Sequence, residues 1–397
     1  MFTESRPKIL FLGHDASQTG APRLLLHFLR WLKANTSARC TVLLGNSGPL
    51  ESEYRELAST FVVARESHAL RLCRRLMPGA YVRPLERRLM QRKIARIRRS
   101  VDPDIIYANT VAVSDEIMLV GGTAPVLWHI HELPHGIRWY AGEKFHRAVD
   151  RVARYVAVSL SVRTGLIKDF GIPEGVIETI HEFIEPPTLT ENQLVQNRKS
   201  LLQELSLPSA CFLVGGCGTT DWRKGPDLFL LVAKHLKENH SDVPAHFVWV
   251  GGRTDDISYS QIQHDIRHLG LSATVHFIGS KQFPINYLSG LDVFALTSRE
   301  DPFPLAMLEA ASVALPIVCF EGSGGGAEFV GNDAGRRVPY LDVVQMANEI
   351  AALGRKESVR RALGSVARSK VQRMYTTSIQ CPKLMEQIQR VRAGKVS

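Results

Sequence analysis

Short apolar runs that alternate with helical stretches, in two separate series, limit this chain more than any other feature. The first series holds Ile9-Leu12, Val42-Leu44, Ile105-Tyr107, Val126-Ile130 and Tyr155-Val158, with amphipathic segments such as Leu24-Leu32 between them. The second holds Phe212-Gly215, His246-Val250, Val275-Ile278, Val293-Leu296 and Ile317-Cys319, and its helices include Asp227-Glu238, Ile257-His268 and Pro304-Ala314. Continuous apolar runs of this kind are strands buried on both faces, so each series predicts a parallel sheet covered by helices. The 397 residues are too many for one core and suit two. The fold class expected is therefore α/β, with two doubly wound Rossmann-like domains. Residues 1–185 form the first and 186–376 the second, joined at the polar, proline-marked stretch Glu185-Ser200. Residues 377–397 form a last helix.

In open α/β sheets ligands sit at the carboxyl ends of the strands, so the chemistry is to be sought in the turns that follow them. Ser298 to Val330 is the richest such stretch. Asp301 and Glu309 flank Pro302 and Pro304, a helix is expected to start near Pro304 and Leu305, and Gly324-Gly325-Gly326 precedes Glu328. Free N–H groups in the first turn of that helix, and consecutive glycine N–H groups converging in a nest, both suit an anion. After the first strand of the second series comes Gly215 to Gly225, with Arg223 and Lys224 beside a glycine turn, two cations suited to a leaving diphosphate. In the first series, Gly13 to Pro22 carries Gly20-Ala21 before a helix, and Trp128-His129-Ile130-His131-Glu132 ends a strand.

Taken together, these segments resemble the GT-B glycosyltransferases of family GT4, whose pattern is E-x7-E, a buried strand and GG-x-x-E. Here it falls on Asp301, Glu309, Leu315-Pro316-Ile317-Val318 and Gly325-Gly326-Ala327-Glu328, with Asp in place of the first Glu and Glu300 as the alternative carboxylate. The resemblance implies that Asp301 lies by the donor sugar and that Glu309 takes the nucleotide ribose. It also implies that Lys224 neutralises the donor diphosphate, with Arg223 standing in for an arginine the family carries near Thr219. Ile278-Gly279 would read the base, and Gly20-Ala21 would line the donor phosphates. His131 would contact the sugar, with His129 and His135 as second choices. Val156-Ser159, a helix to Phe170 and Gly171-Ile172-Pro173 resemble the segment leading to the family's hinge, although His181-Glu185 replaces its usual N-G-hydrophobic-D element. The two domains would face each other across a cleft, and the last helix would cross back onto the first domain. The implied activity is retaining, metal-independent transfer from a nucleotide-diphosphate sugar, used as co-substrate without other cofactor, to a saccharide or lipid-linked saccharide of a cell-surface polysaccharide pathway. A sugar-nucleotide epimerase and a non-catalytic nucleotide-sugar-binding subunit are the alternatives.

Other classes find little support. No G-x-G-x-x-G fingerprint with its following acid is present, and the six cysteines show no C-x-x-C or Cys/His ligand spacing. No run of eighteen apolar residues occurs, and no leader is recognisable, so a cytoplasmic protein is expected. The net charge of +10 is concentrated between Arg65 and Arg99, where Glu66 and Glu86 oppose twelve arginines and lysines. On a helix, Leu85, Leu89, Met90, Ile94 and Ile97 fall on one side and Arg87, Arg88, Arg92, Arg96, Arg98 and Arg99 mainly on the other. Two readings stay open: a basic amphipathic helix that lies on the anionic inner face of a membrane, and a core-packed helix with a basic outer face. Nucleic acid is not expected, since no nucleic-acid module is visible.

Overall fold

The computed structural model describes residues 6–63 and 79–394, with the side chains of 79–87 left out of the description. The chain divides into two compact units, Met1–His181 with Thr377–Ser397, and Glu182–Thr376. The first junction thus falls a few residues before the one expected after Glu185.

Unit 1 is a seven-stranded sheet of β1 (Lys8–Gly13), β2 (Arg39–Leu44), β3 (Ser59–Val62), β4 (Ile105–Asn109), β5 (Val126–Ile130), β6 (Val152–Ala157) and β7 (Ile177–Thr179), in the order β3-β2-β1-β4-β5-β6-β7. Unit 2 is a six-stranded sheet of β8 (Phe212–Cys217), β9 (Ala245–Val250), β10 (Val275–Phe277), β11 (Val293–Leu296), β12 (Ile317–Phe320) and β13 (Gly335–Val338), in the order β10-β9-β8-β11-β12-β13. Every pairing between these strands is parallel. The chain winds outward from the sheet's middle strand, then returns to its other side. The order therefore reverses between β1 and β4 in unit 1 and between β8 and β11 in unit 2, and a crevice opens at each of those points. Both units are doubly wound α/β domains, as the alternation required.

Three strands escaped the sequence, and all three lie at sheet edges: β3, β7 and β13. Edge strands are short and half solvated, so they lack the apolar run that marks a central strand. The helices follow their buried stripes. In Gly20–Asn35 the residues Leu24, Leu25, Phe28, Leu29 and Leu32 are buried, and in Pro226–Asn239 they are Leu228, Phe229, Val232, Ala233 and Leu236. In unit 2 these helical side chains meet Phe247, Trp249 and Phe277, with Trp249 and Phe277 stacked 5.5 Å apart. Full burial of each such Leu, Val or Phe side chain stabilises the unit by about 1.5–3 kcal/mol.

Several expected boundaries are corrected. The polar stretch from Glu185 is mostly the helix Glu191–Glu204, started by a capping box in which Thr190 and Gln193 satisfy each other's backbone N–H. The helix expected over Pro304–Ala314 runs Leu305–Ser312, with Pro304 as its N-cap and Ala314 at φ +62, outside helical space. In the helix Gly79–Val101, Ile94 and Ile97 are buried while Leu89 is exposed, so the packed stripe omits Leu89. Arg88, Arg92, Arg96 and Arg99 are exposed there. Residues 65–78 of the basic segment, and the side chains of Leu85, Glu86 and Arg87, lie outside the described residues.

The last helix, Thr377–Arg392, belongs to unit 1 and packs on the helix Gly20–Asn35 and on β4 and β5. Cys381, Leu384, Ile388 and Val391 form its buried stripe, and Arg392 reaches Asp104 at 3.5 Å. The crossing back expected from the resemblance is thus present. No helix among the described residues is long and apolar enough to span a membrane.

Candidate functional site

At the β8/β11 reversal of unit 2, three strand-end turns are laced together. The turn after β8 carries Arg223 and Lys224, and it is tied to the turn after β11 by backbone bonds from the N–H of Arg299 (2.8 Å) and of Glu300 (3.4 Å) to the Arg223 carbonyl. Gly225, at φ +66, closes the β8 turn and starts the helix Pro226–Asn239. A Cβ there would lie 2.2 Å from the Thr297 carbonyl oxygen, so only glycine lets the two turns come this close. The turn after β12 joins through Asp301, whose N–H donates to the Ser323 carbonyl (2.7 Å) and whose carbonyl accepts from Gly325 (3.1 Å).

The side chains in these turns form a charged cluster. Asp301 is buried, and its Oδ2 accepts from Lys224 Nζ at 2.6 Å and from Ser298 Oγ at 3.0 Å. Its Oδ1 lies 3.5 Å from a guanidinium nitrogen of Arg223, which also donates to the Glu300 carbonyl at 3.2 Å. Burial pushes the Asp301 carboxyl up, but Lys224 and Arg223 beside it, with the bonds from Lys224 and Ser298, outweigh this and hold it below its ordinary value. The outcome is a carboxylate held ionised by two cations. Lys224 is steadied further because its N–H donates to Asp221 Oδ1 (3.1 Å), while Thr219 Oγ1 holds the other Asp221 oxygen at 2.5 Å. Thr219, noted in the sequence as a missing arginine, therefore helps shape the lysine turn. Arg299 forks onto Asp227 at 2.8 and 2.6 Å, donates to the Trp222 carbonyl at 2.9 Å and lies over the Trp222 ring.

Glu309 is buried one turn into Leu305–Ser312, and Glu300 is buried next to Asp301. Pro304 and Leu305 lie at the start of that helix. Gly325 and Gly326 were expected to form an anion nest, but they open the short helix Gly325–Val330, which also carries Glu328. The Gly325 N–H donates to the carbonyls of Asp301 and Pro302 at 3.1 and 2.9 Å, so it serves the loop itself. The close approach needed at Gly326 is to Leu296, whose side chain would stand 2.7 Å from a Cβ. Ile278 and Gly279 follow β10 and sit by the turn after β9: Ile278 donates to the Trp249 carbonyl (3.1 Å) and Gly279 accepts from Gly251 (2.9 Å).

At the β1/β4 reversal of unit 1, imidazoles, a phenol and an amide meet beside the Glu132 carboxylate. His131 is buried, with Nε2 2.9 Å from Asn109 Oδ1, and Asn109 Nδ2 donates to the Ala21 carbonyl at 3.0 Å. Asn109 thereby joins Ala21, next to Gly20 in the first helical turn, to His131. The His129 ring lies 4.1 Å from that of His131, and its Nδ1 is 2.6 Å from the Tyr107 hydroxyl. Burial, with His131 alongside, holds His129 well below the ordinary imidazole value. Glu132 turns to the backbone, accepting from the N–H groups of Val111 (3.2 Å) and His131 (3.0 Å) and from the Thr110 hydroxyl. It thus anchors the turn after β4, where Thr110 sits at φ +76. His135 is exposed on the helix Pro134–Tyr140 and stacked on Trp139.

Sequence reasoning missed Ser298, Asn109, Thr110 and Arg299. Ser298, three residues before Asp301 at a strand end, carried a signal. A β-branched residue at positive φ carries none, because nothing in the sequence marks the strain.

Residues 165–370 match the family model for glycosyl transferases group 1, and residues 14–186 match that for glycosyltransferase family 4. The first match covers more than half of the chain, and the chain belongs to this family of GT4 glycosyltransferases. The O-antigen biosynthesis glycosyltransferase WclY of Escherichia coli is 28% identical over 131 residues, which are 33% of this chain and 35% of the relative. An N,N'-diacetylbacillosaminyl-diphospho-undecaprenol alpha-1,3-N-acetylgalactosaminyltransferase of Campylobacter jejuni is 32% identical over 97 residues, 24% of this chain and 23% of the relative. The matched stretches thus span well under half of the relatives' own lengths. Among solved structures, Anabaena Alr3699/HepE in complex with UDP and glucose superposes with a TM-score of 0.79 at 19% identity, covering 97% of this chain and all of that one. That likeness shows the GT-B fold.

Proposed function

We propose that this protein moves a sugar from a nucleotide-diphosphate sugar to a saccharide or lipid-linked saccharide acceptor in cell-surface polysaccharide biosynthesis, with retention of configuration and without metal. The observation that carries this reading is the clamp of Lys224 and Arg223 on the buried Asp301 carboxylate at the β8/β11 reversal. When the bond between the anomeric carbon and the donor diphosphate breaks, negative charge collects on the departing oxygen. Lys224 and Arg223, already positioned, stabilise that charge without reorganising. Asp301, kept ionised, holds hydroxyls of the sugar and offsets positive charge at the anomeric carbon. Glu309 holds the ribose and the Ile278-Gly279 turn the base, while unit 1 takes the acceptor, whose attacking oxygen passes its proton to the departing diphosphate oxygen as the new bond forms.

The names of the relatives support a polysaccharide pathway and a lipid-linked acceptor, and the UDP in the Anabaena structure favours a uridine nucleotide. A panel of UDP-, GDP- and ADP-sugars tests the reading through thermal stability. A donor at a hundred times its dissociation constant stabilises the unit by about 2.7 kcal/mol, and Lys224→Ala abolishes the shift. If no nucleotide sugar moves the melting temperature, the reading fails. Release of nucleotide diphosphate only when acceptor is present separates transfer from epimerisation, and its absence altogether points to a non-catalytic subunit.

The exposed Arg88, Arg92, Arg96 and Arg99 further support peripheral contact with an anionic bilayer, at about 1 kcal/mol per basic residue near the surface. Since Ile94 and Ile97 are buried within unit 1, they take no part in this contact, which the basic residues carry. Replacing Arg88, Arg92 and Arg96 by Glu is expected to abolish co-sedimentation with phosphatidylserine vesicles; unchanged sedimentation would remove the membrane from the reading.

A further inference from the structure

We propose that His246 and His276 form a zinc site at the edge of the unit 2 sheet, a structural cross-link between β9 and β10 that goes beyond the transfer reading and takes no part in it. The site follows from strand register. Phe247 pairs with Val275, Val248 with His276 and Trp249 with Phe277. Phe247, Trp249, Val275 and Phe277 all enter the core on one face, so alternation turns His246 and His276 to the opposite face. There the two rings stack at 5.6 Å with an interplanar angle of 28°, and His246 Nδ1 lies 3.3 Å from His276 Nε2. Both residues are half-buried and keep part of their surface in solvent, which gives an ion a way in. His246 is the second residue of β9, about 13 Å before the strand's carboxyl end at 3.3 Å per residue, whereas the Lys224–Asp301 clamp sits at the carboxyl ends.

The spacing of the two nitrogens selects the metal. Zinc binds imidazole nitrogen at about 2.0–2.1 Å, and two nitrogens at a tetrahedral angle on such an ion stand about 3.3–3.4 Å apart, whereas a right angle brings them to about 2.8–3.0 Å. The observed 3.3 Å matches the tetrahedral arrangement. In the metal-free pair one ring nitrogen donates to the other at a length beyond the usual range for an N–H donor, so little is lost when that bond opens. Zinc needs a lone pair on both facing nitrogens. The proton of the donating ring therefore moves to the far nitrogen of the same ring, and two neutral imidazoles bind without net proton release. Among the described residues no group of three His, Cys, Asp or Glu side chains gathers for a metal, so water fills the remaining positions. The strand β10 has three residues and lies at the sheet's edge, where a clip to β9 reinforces a short pairing.

The test uses the full-length protein without a histidine tag, carrying His264→Gln and His268→Gln. These remove an exposed pair one turn apart on the helix Ile257–His268, whose rings lie 4.1 Å from each other and compete for the same ion. Zn2+ is added in a calorimeter at a pH above the ordinary imidazole range, and melting is recorded with Zn2+ and with EDTA. One equivalent should bind and raise the melting temperature, and both effects should vanish in His246→Gln and in His276→Gln. In the same parent protein labelled with 15N on histidine, Zn2+ should move the ring signals of two histidines, a readout that needs no further substitution. Absence of binding by the parent overturns the inference, and so does binding that either substitution leaves unchanged, or ring signals that stay still. No nucleotide sugar enters the experiment, so its failure leaves the transfer reading standing, and a protein that binds zinc but no donor refutes only that reading.

Discussion

The two crevices are built on the same topology and lined with different chemistry. At the β8/β11 reversal a buried carboxylate is clamped by Lys224 and Arg223, and Arg299 forks onto Asp227 just behind. At the β1/β4 reversal stand two imidazoles, a phenol and an amide, linked by Tyr107–His129 and Asn109–His131 bonds. A charged cluster out of water survives only if each charge is matched, so unit 2 depends on pairs, whereas the unit 1 cluster depends on the direction of the hydrogen bonds among Tyr107, His129, Asn109 and His131. Removing one charge should therefore cost unit 2 far more than removing one neutral partner costs unit 1.

The strongest way to break this contrast is Lys224→Ala. It leaves the buried Asp301 with Arg223, 3.5 Å away, and the Ser298 hydroxyl, and the expected destabilisation is about 3–5 kcal/mol, read as a drop in melting temperature. Asp301→Asn should cost less, because Lys224 and Arg223 keep partial access to water while the carboxylate has almost none. Lys224→Met combined with Asp301→Leu should recover much of the stability and still bind no nucleotide sugar. If Lys224→Ala melts like the unaltered protein, the clamp is not what holds these turns.

Acid should separate the units next. Burial, with Arg23 and Arg30 nearby, lowers His27 of unit 1 from 6.5 to about 4, and His129 is lowered as well. The unfolded chain then binds protons that the folded unit refuses, so stability falls as pH drops from 6.5 towards 4. Asp301 acts lower down: its folded value lies below 3.8, so its contribution is complete above 3.8 and is lost as pH falls through the folded value. His246 and His276 of unit 2 are also lowered by burial, which is why variants must assign the steps. His27→Gln should flatten the upper limb and Asp301→Asn the lower one. An upper limb unchanged by His27→Gln would place that step elsewhere.

The same contrast explains what the sequence made legible. Central strands announced themselves because burial on both faces demands continuous apolar runs such as Ile9-Leu12 and Val126-Ile130. The edge strand β13, with Arg336 and Arg337 in its four residues, meets no such demand. The helix Glu191–Glu204 was hidden by its polar face, although Thr190 and Gln193 spell a capping box three residues apart. In unit 2, Lys224, Arg223 and Asp301 were legible as single charges at strand ends, but their mutual pairing depends on β8 and β11 lying side by side, far apart in sequence. In unit 1, Asn109 looked like any strand-end residue. Its role is a matter of hydrogen-bond direction, which only coordinates reveal.

The mildest expected effect sharpens the comparison by keeping the charge and changing only its geometry. Arg299→Lys preserves one positive charge beside Asp227 but loses the planar fork that makes bonds of 2.8 and 2.6 Å and still donates to the Trp222 carbonyl. Asp227 is partly exposed, so solvent screens the pair and the expected cost is only about 1–2 kcal/mol. Trp222 immediately precedes Arg223 and Lys224, so slack at its carbonyl should reach the cations as a weaker affinity for nucleotide sugar, with a smaller change in melting temperature. If charge alone shaped the unit 2 crevice, Arg299→Lys would bind donor like the unaltered protein; a loss of donor affinity larger than the loss of stability would show that fixed geometry matters there as much as it does at Asn109.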